Sequence, residues 1–489
     1  MIVVRLLCLL LLLSDVFGVS LQALERPNVI VAFIDDMGYS DLGCFGGKGA
    51  STPHIDRLAI EGIRFRNFYV NSPICSPSRA AMTTGQYPQR WRISSFLENR
   101  KSNGQRGMAQ WLDPAAPVLA RELQRNGYAT GHFGKWHLGG QRDVGDAPLV
   151  TEYGFDRSLV NFEGLGPRIL PLCDAGDGSP VRKHDLGSAA LGRGPIRWED
   201  RSTITASFVK EAISFVDEAA AAGKPFFVNL WPDDVHSPFY PPKALRERGG
   251  NGKRDLYRAV LTAMDQQLGA LFDRIRNDKK LRGNTLILLA SDNGPEPGAG
   301  LSTPLRGGKG LLYEGGVRSP LIVWGPGLIA AGAAGGTNDT AILCALDLNR
   351  SLYAVTGASL PHGAALDGEN LSDTLLGKAR STRQAPIFWR RPPDRPEVDG
   401  EKNPDLAVRD GRWKAYVNLN GQEARLYDLD ADVSETTDLA GKQPEVVARL
   451  TKAMLAWNAT LPVDGSATRP VPGKAGQKKG KAAASTGLP

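Results

Sequence analysis

An α/β fold is predicted: a large, mostly parallel central sheet with helices on both faces, followed by a small antiparallel C-terminal sheet with a helix. Short β-rich apolar runs alternate with helical patterns through most of the chain, the arrangement of a parallel sheet whose crossovers are helical. The polar pairs Asp35-Asp36 and Asp292-Asn293 stand at the ends of two such runs, and sheets of this kind bind ligands outside the carboxyl ends of their strands. From about Asp405 the pattern changes to alternating runs separated by Asp410-Gly411 and Asn420-Gly421, dipeptides that make hairpin turns.

Taken in order, residues 1–24 place Arg5 before the apolar run 6–13 and then Ser14, Gly18, Ser20 and Ala23 ahead of Glu25-Arg26. This reads as a secretory signal peptide, too short to span a bilayer. Asn28–Ile34 is the first buried strand, and 225–230, 284–290 and 320–324 are similar. Pro117 opens a helix that Gly127 closes. Phe208, Ile213, Phe215 and Val216 mark the apolar side of a helix over 208–219, and Leu261, Met264, Leu268, Leu271 and Ile275 repeat at three and four residues in another. Residues 141–198, rich in Gly and without periodicity, are expected to be long loops around the site. A large domain over 25–374 is followed by a subdomain over 375–465, with strands at 405–409, 412–419 and 423–429. Its closing helix begins at Pro444 and sets Val447, Leu450, Met454 and Trp457 on one side. Residues 466–489 are a basic tail unable to bury a core, and so disordered.

The formal charge of +7 does not call for a nucleic-acid partner, because Arg469, Lys474, Lys478, Lys479 and Lys481 lie in that acid-free tail. Outside the leader, nothing approaches the roughly 18 consecutive apolar residues of a membrane span. Cys44, Cys75, Cys173 and Cys344 lack paired spacing, which excludes a disulfide scaffold and a zinc site. Among Cys44, Cys173 and Cys344 at most one disulfide can form.

The chemistry is carried by Cys75-Ser76-Pro77-Ser78-Arg79 and the helix it opens, and by Gly134-Lys135-Trp136-His137-Leu138-Gly139, Ser291-Asp292-Asn293-Gly294, Gly307-Gly308-Lys309-Gly310 and Tyr313-Glu314-Gly315-Gly316. Asp35, Asp36, Asp292 and Asn293 supply only oxygen, which suits a hard cation and disfavours zinc or copper. Together with Pro27-Asn28-Val29-Ile30, Asp35-Asp36-Met37-Gly38 and the C-terminal Leu426-Tyr427-Asp428-Leu429, these motifs resemble the sulfatase family over most of the chain. The look is nearest to its arylsulfatase and N-acetylgalactosamine-6-sulfatase branch.

The resemblance implies an alkaline-phosphatase-like fold with its catalytic domain over 25–374, and hydrolysis of sulfate monoesters on sulfated sugars or aryl alcohols. It further implies that an export-linked maturating enzyme oxidises Cys75 to formylglycine, and that one calcium ion is held by Asp35, Asp36, Asp292, Asn293 and the modified Cys75. By the same resemblance Arg79 and Lys135 orient the formylglycine, His137 assists proton removal, and His236 and Lys309 bind sulfate, one of them protonating the leaving alcohol. The chemistry agrees: a sulfated thiol has no easy exit, whereas a hydrated aldehyde attacks with one hydroxyl and regenerates itself through the other. The implied compartment is secreted or periplasmic, or lysosomal in a eukaryote. Two alternatives stand beside this reading: a phosphate or phosphonate ester hydrolase of the same superfamily, and a noncatalytic binder of sulfated glycans.

Overall fold

The computed structural model describes residues 26–462; the signal peptide expected over 1–24 and the tail expected over 466–489 lie outside them. The large sheet is built from β1 (Asn28–Ile34), β2 (Ile63–Tyr69), β3 (Ala129–Gly134), β4 (Arg157–Val160), β5 (Arg168–Cys173), β6 (Arg182–Lys183), β7 (Ile196–Asp200), β8 (Phe226–Trp231), β9 (Thr285–Ser291), β10 (Arg318–Trp324), β11 (Thr337–Asn338) and β12 (Leu343–Cys344). Its spatial order is β11-β2-β10-β9-β1-β8-β3-β4-β5-β6, with β12 also on β2 and β7 on β5. The pairs β9-β1, β1-β8, β8-β3 and β3-β4 are parallel, whereas β10 runs antiparallel to both β9 and β2. The sheet is thus mostly parallel, as expected.

Side chains alternate across a strand, so β1 sends Val29, Val31 and Phe33 into one core and Ile30, Ala32 and Ile34 into the other. Helices Pro53–Glu61, Ile204–Ala221 and Lys253–Asn277 cover the second face, and Cys75–Thr84, Leu119–Arg125 and Ala345–Thr356 the first. Burial on both faces is why these strands read as continuous apolar runs. The loops expected over 141–198 are corrected in part: β4, β5, β6 and the start of β7 lie inside that stretch and extend the sheet. They are short, β5 carries Pro171, and β7 is half exposed, so only pairing with neighbours reveals them.

At the C-terminus β13 (Ile387–Arg390), β14 (Glu397–Val398), β15 (Glu401–Lys402), β16 (Leu406–Asp410), β17 (Trp413–Val417) and β18 (Arg425–Asp428) follow. The order β13-β16-β17-β18 is antiparallel throughout, and β14-β15 is a separate ribbon. Gly411 takes φ +54 in the turn between β16 and β17, a left-handed backbone that glycine adopts without steric cost. Helix Pro444–Ala459 packs Leu450, Met454 and Trp457 on this sheet. The small sheet joins the large one through Trp389, whose Nε1 donates to the Val70 carbonyl at 2.7 Å, and through buried Glu314, which meets Lys414 at 2.9 Å and Arg318 at 3.3 Å. Cys44, Cys173 and Cys344 are all unpaired. No helix among the described residues is long and apolar enough to cross a membrane.

Candidate active site

Four adjacent parallel strands, β9, β1, β8 and β3, end at one edge of the sheet, and the residues just beyond them converge. Asp292-Asn293 follows β9, Asp35-Asp36 follows β1, His236 lies beyond β8, and Lys135 and His137 follow β3. Gly134 closes β3 with φ +115, and a Cβ there would collide with the Trp231 carbonyl oxygen. The absent side chain lets Lys135 N–H bond that carbonyl at 2.8 Å, docking the end of β3 on the end of β8.

Helix Cys75–Thr84 points its N-terminus into this edge. Its residues are all buried, and Gly85, with φ +66, caps its far end. Pro77 is tolerated because the first turn has no intrahelical acceptor for its missing N–H. Cys75 therefore occupies the positive end of a helix dipole. Its thiol is pushed well above the ordinary range by burial and by Asp35, against Lys135 and Lys309. The group is a thiol and not a thiolate at neutral pH, a poor nucleophile as it stands.

Arg79, one turn on, is fully buried between carboxylates: its Nη2 is 2.7 Å from Asp292 Oδ2 and 3.2 Å from Asp35 Oδ1, and its Nη1 donates to the Lys135 carbonyl at 3.2 Å. Lys135 Nζ bridges Asp35 Oδ2 at 2.7 Å and Glu163 Oε2 at 2.9 Å. His137 Nε2 donates to the Leu97 carbonyl at 2.8 Å, which leaves Nδ1 as the bare nitrogen of the neutral ring, 3.2 Å from Glu163 Oε2. Burial drives the His137 imidazole down to about 3, with Lys135 adding to the effect against Glu163. Burial would raise the Glu163 carboxyl, but His137 in its protonated form and Lys135 hold it at about 2. Lys309 Nζ pairs with Asp36 Oδ2, and against burial Asp36 holds the ammonium above its ordinary range. His236 Nδ1 donates to the Ser237 carbonyl at 2.7 Å, and its Nε2 lies 3.7 Å from Asp36 Oδ2. Burial together with Lys309 and Lys135 lowers this imidazole.

Carboxylate oxygens of Asp35, Asp36 and Asp292 all lie within 4.8 Å of one another, fully buried. Burial and the neighbouring Asp35 and Asp36 push the Asp292 carboxyl well above its usual range although Arg79 opposes this. Asn293 donates its Nδ2 to Asp36 Oδ1 at 2.6 Å, while its own Oδ1 and Asp35 Oδ1 are buried without a hydrogen-bond donor. Crowded carboxylates with undonated oxygens fit a hard divalent cation bound through oxygen alone.

Every residue singled out from the sequence is thus brought together: Cys75, Arg79, Lys135, His137, His236 and Lys309 surround Asp35, Asp36, Asp292 and Asn293. A cavity of about 310 Å³ opens on them, lined by Cys75, His137, His236 and Lys309 and also by Phe96, Arg142, Phe162, Glu163, His184 and Arg395. Glu163 was missed by sequence reasoning, because Asn161-Phe162-Glu163-Gly164 has no recognisable spacing. Asp233 accepts from Arg201 Nη1 at 2.7 Å and from Asn161 Nδ2 at 2.8 Å. It ties the loop of Glu163 to the loop of His236. His132 is a packed core histidine, edge-on to Trp136 and Trp231.

Residues 27–358 match the Sulfatase family. Arylsulfatase A of Homo sapiens is 33% identical over 474 residues, spanning 89% of this chain and 88% of that protein. N-acetylgalactosamine-6-O-sulfatase of Bacteroides thetaiotaomicron is 29% identical, spanning 88% of this chain and 93% of its own length. Among solved structures, the crystal structure of Ps i-CgsB in complex with k-i-k-neocarrahexaose superposes with a TM-score of 0.73 at 27% identity, over 89% of this chain and 94% of that one. With the family's motifs gathered at one carboxyl edge and the match running over residues 27–358, the chain belongs to the sulfatase family of sulfuric ester hydrolases.

Proposed function

We propose that this chain hydrolyses sulfate monoesters of sulfated carbohydrates, with Cys75 oxidised to formylglycine and a calcium ion held by Asp35, Asp36, Asp292 and Asn293. The observation that carries this reading is the buried thiol at a helix N-terminus set against an oxygen-only cluster and the cations Arg79, Lys135 and Lys309. A carbohydrate substrate is supported by a relative named N-acetylgalactosamine-6-O-sulfatase and by a structural neighbour in complex with k-i-k-neocarrahexaose. Aryl sulfates are the second substrate class, since a relative of 33% identity is named an arylsulfatase.

Once oxidised and hydrated, Cys75 would offer one hydroxyl to attack sulfur and a second whose proton loss would expel sulfate. A calcium ion held by Asp35, Asp36, Asp292 and Asn293 would supply Lewis acidity to the sulfate ester. Arg79 and Lys135 fix the geometry, because each is held by two partners and buried. The bare Nδ1 of His137 takes a proton, and once protonated it faces Glu163 Oε2, which stabilises the imidazolium. Lys309 and His236 stand at the cavity wall to hold sulfate oxygens, and one of them delivers a proton to the leaving alcohol. The balance is one water consumed per ester, releasing an alcohol and hydrogen sulfate. Residues 25–374 form the catalytic domain and 375–465 the closing subdomain; residues 1–24 direct export, to the medium or periplasm or to a lysosomal compartment.

Peptide mass spectrometry combined with sulfate release from defined sulfated sugars tests the reading. The Cys75 peptide should be lighter by the difference between a thiol and an aldehyde side chain, and activity should scale with the converted fraction. Full activity with Cys75 unmodified would overturn the proposal.

A further inference from the structure

Of the arginines and lysines in the cavity wall, Arg142 is the one whose side chain finds neither a hydrogen bond nor an ion pair among the described residues, and its Nε is buried without an acceptor. The arginines around it are committed: Arg100 to Asp146, Arg106 to Asp394, and Arg395 also to Asp394. The only acid in the cavity lining, Glu163, is already held by Lys135 and His137.

Arg142 is also rigidly presented. It stands in a turn closed by Val144 N–H to the Gln141 carbonyl at 2.9 Å, and Gln141, fully buried, donates to the Glu98 carbonyl at 3.0 Å. Just after it in the chain, Val144 and Ala147 pack with Leu165 in a small apolar cluster of their own. Arg142 itself takes φ +56, a left-handed backbone costly for a side chain of this size. A strained backbone that carries an uncompensated guanidinium into a catalytic cavity has a physical use only if an anion arrives. Beside it His184 lies edge-on to Phe162, at 5.3 Å between ring centroids, and Phe162 and Leu186 give the wall apolar surface suited to a sugar ring.

We infer that Arg142 binds a second anionic group of the substrate, a carboxylate or another sulfate, so that the preferred substrate is a polyanionic saccharide and not a neutral sugar bearing one sulfate. The inference rests on the sulfate-ester reading and deepens it. The scissile sulfate uses Lys309, His236 and the cation cluster; Arg142 is surplus to that task. A planar guanidinium fork matches either oxyanion in a bidentate manner, whereas a lysine there would offer a point charge without the fork.

The test compares kcat/KM of the wild type, Arg142→Gln and Arg142→Lys, each with its Cys75 conversion and thermal midpoint measured. Three substrates are needed: a monosulfated N-acetylhexosamine, the same sugar linked to a uronic acid, and the same sugar with a second sulfate. Arg142→Gln should lose about 10- to 100-fold on the dianionic substrates beyond any loss on the monosulfated one, and Arg142→Lys should recover part of that. The substrate showing the larger selective loss identifies carboxylate or sulfate. Equal losses on all three, or none, in a variant that folds and converts normally would overturn the inference while leaving the sulfatase reading intact. If Arg142→Gln does not fold, a Lys variant with unaltered selectivity has the same force. A converted wild type that releases sulfate from none of the three would overturn both.

Discussion

Replacing Glu163 by Gln keeps the shape of the side chain and removes one buried negative charge from between Lys135 and His137. The carboxyl is held at about 2 against an ordinary 4.5, and a displacement of that size corresponds to ~3 kcal/mol of folding stability. The scale is physically reasonable: opposite charges at the Lys135 distance of 2.9 Å attract by ~6 kcal/mol at an effective dielectric of ~20, and desolvation cancels part of that. Because the folded carboxyl is depressed, its contribution is complete above pH ~4.5 and is lost as the pH falls towards 2. Urea denaturation of both proteins should therefore show the variant less stable by ~3 kcal/mol at pH 7, with the gap shrinking to ~2 kcal/mol at pH 3.5. Turnover should fall as well, since a protonated His137 would lose its counter-charge. A gap below ~1 kcal/mol at pH 7, or one identical at pH 7 and pH 3.5, would refute the reasoning, because either result would mean that Glu163 is not held ionised by its neighbours.

Asp292→Asn should weaken calcium by roughly 100-fold or more, read by titration calorimetry, with activity recoverable only at high calcium; full activity after the ion is shown to have been removed would contradict this. Lys309→Ala and His236→Ala should each lower turnover on a sugar sulfate, and the residue that protonates the alcohol will show a much smaller loss on an activated aryl sulfate, whose phenol leaves without a proton. Similar losses on both substrates for both variants would leave neither as the acid. Trp389→Ala removes a fully buried indole and its bond to the Val70 carbonyl, and should cost about 3–5 kcal/mol in chemical denaturation; a loss under 1 kcal/mol would show that the small sheet does not depend on this anchor.

The sequence by itself picked out Asp35, Asp36, Asp292, Asn293, Cys75 and most of the cations that the structure gathers, because each sits in a short contiguous motif immediately beyond a strand or at the start of a helix. Strands such as Asn28–Ile34 are apolar on both faces, so their ends, and hence Asp35-Asp36, could be read from local pattern alone. The Asp-Gly hairpin and the helix at Pro444 were legible for the same reason: turn chemistry and a proline in the first turn are local effects. Tertiary structure alone decided that β10 runs against its neighbours and that β4, β5 and β7 continue the sheet through a stretch that looks like loop, since strand formation there depends on partners and not on intrinsic preference. It also decided the placement of Glu163 between Lys135 and His137 and of Arg142 in the cavity. Neither residue belongs to a periodic or spaced pattern. Their environments are made by chain segments tens of residues away, and a charge acquires its meaning from what burial places beside it.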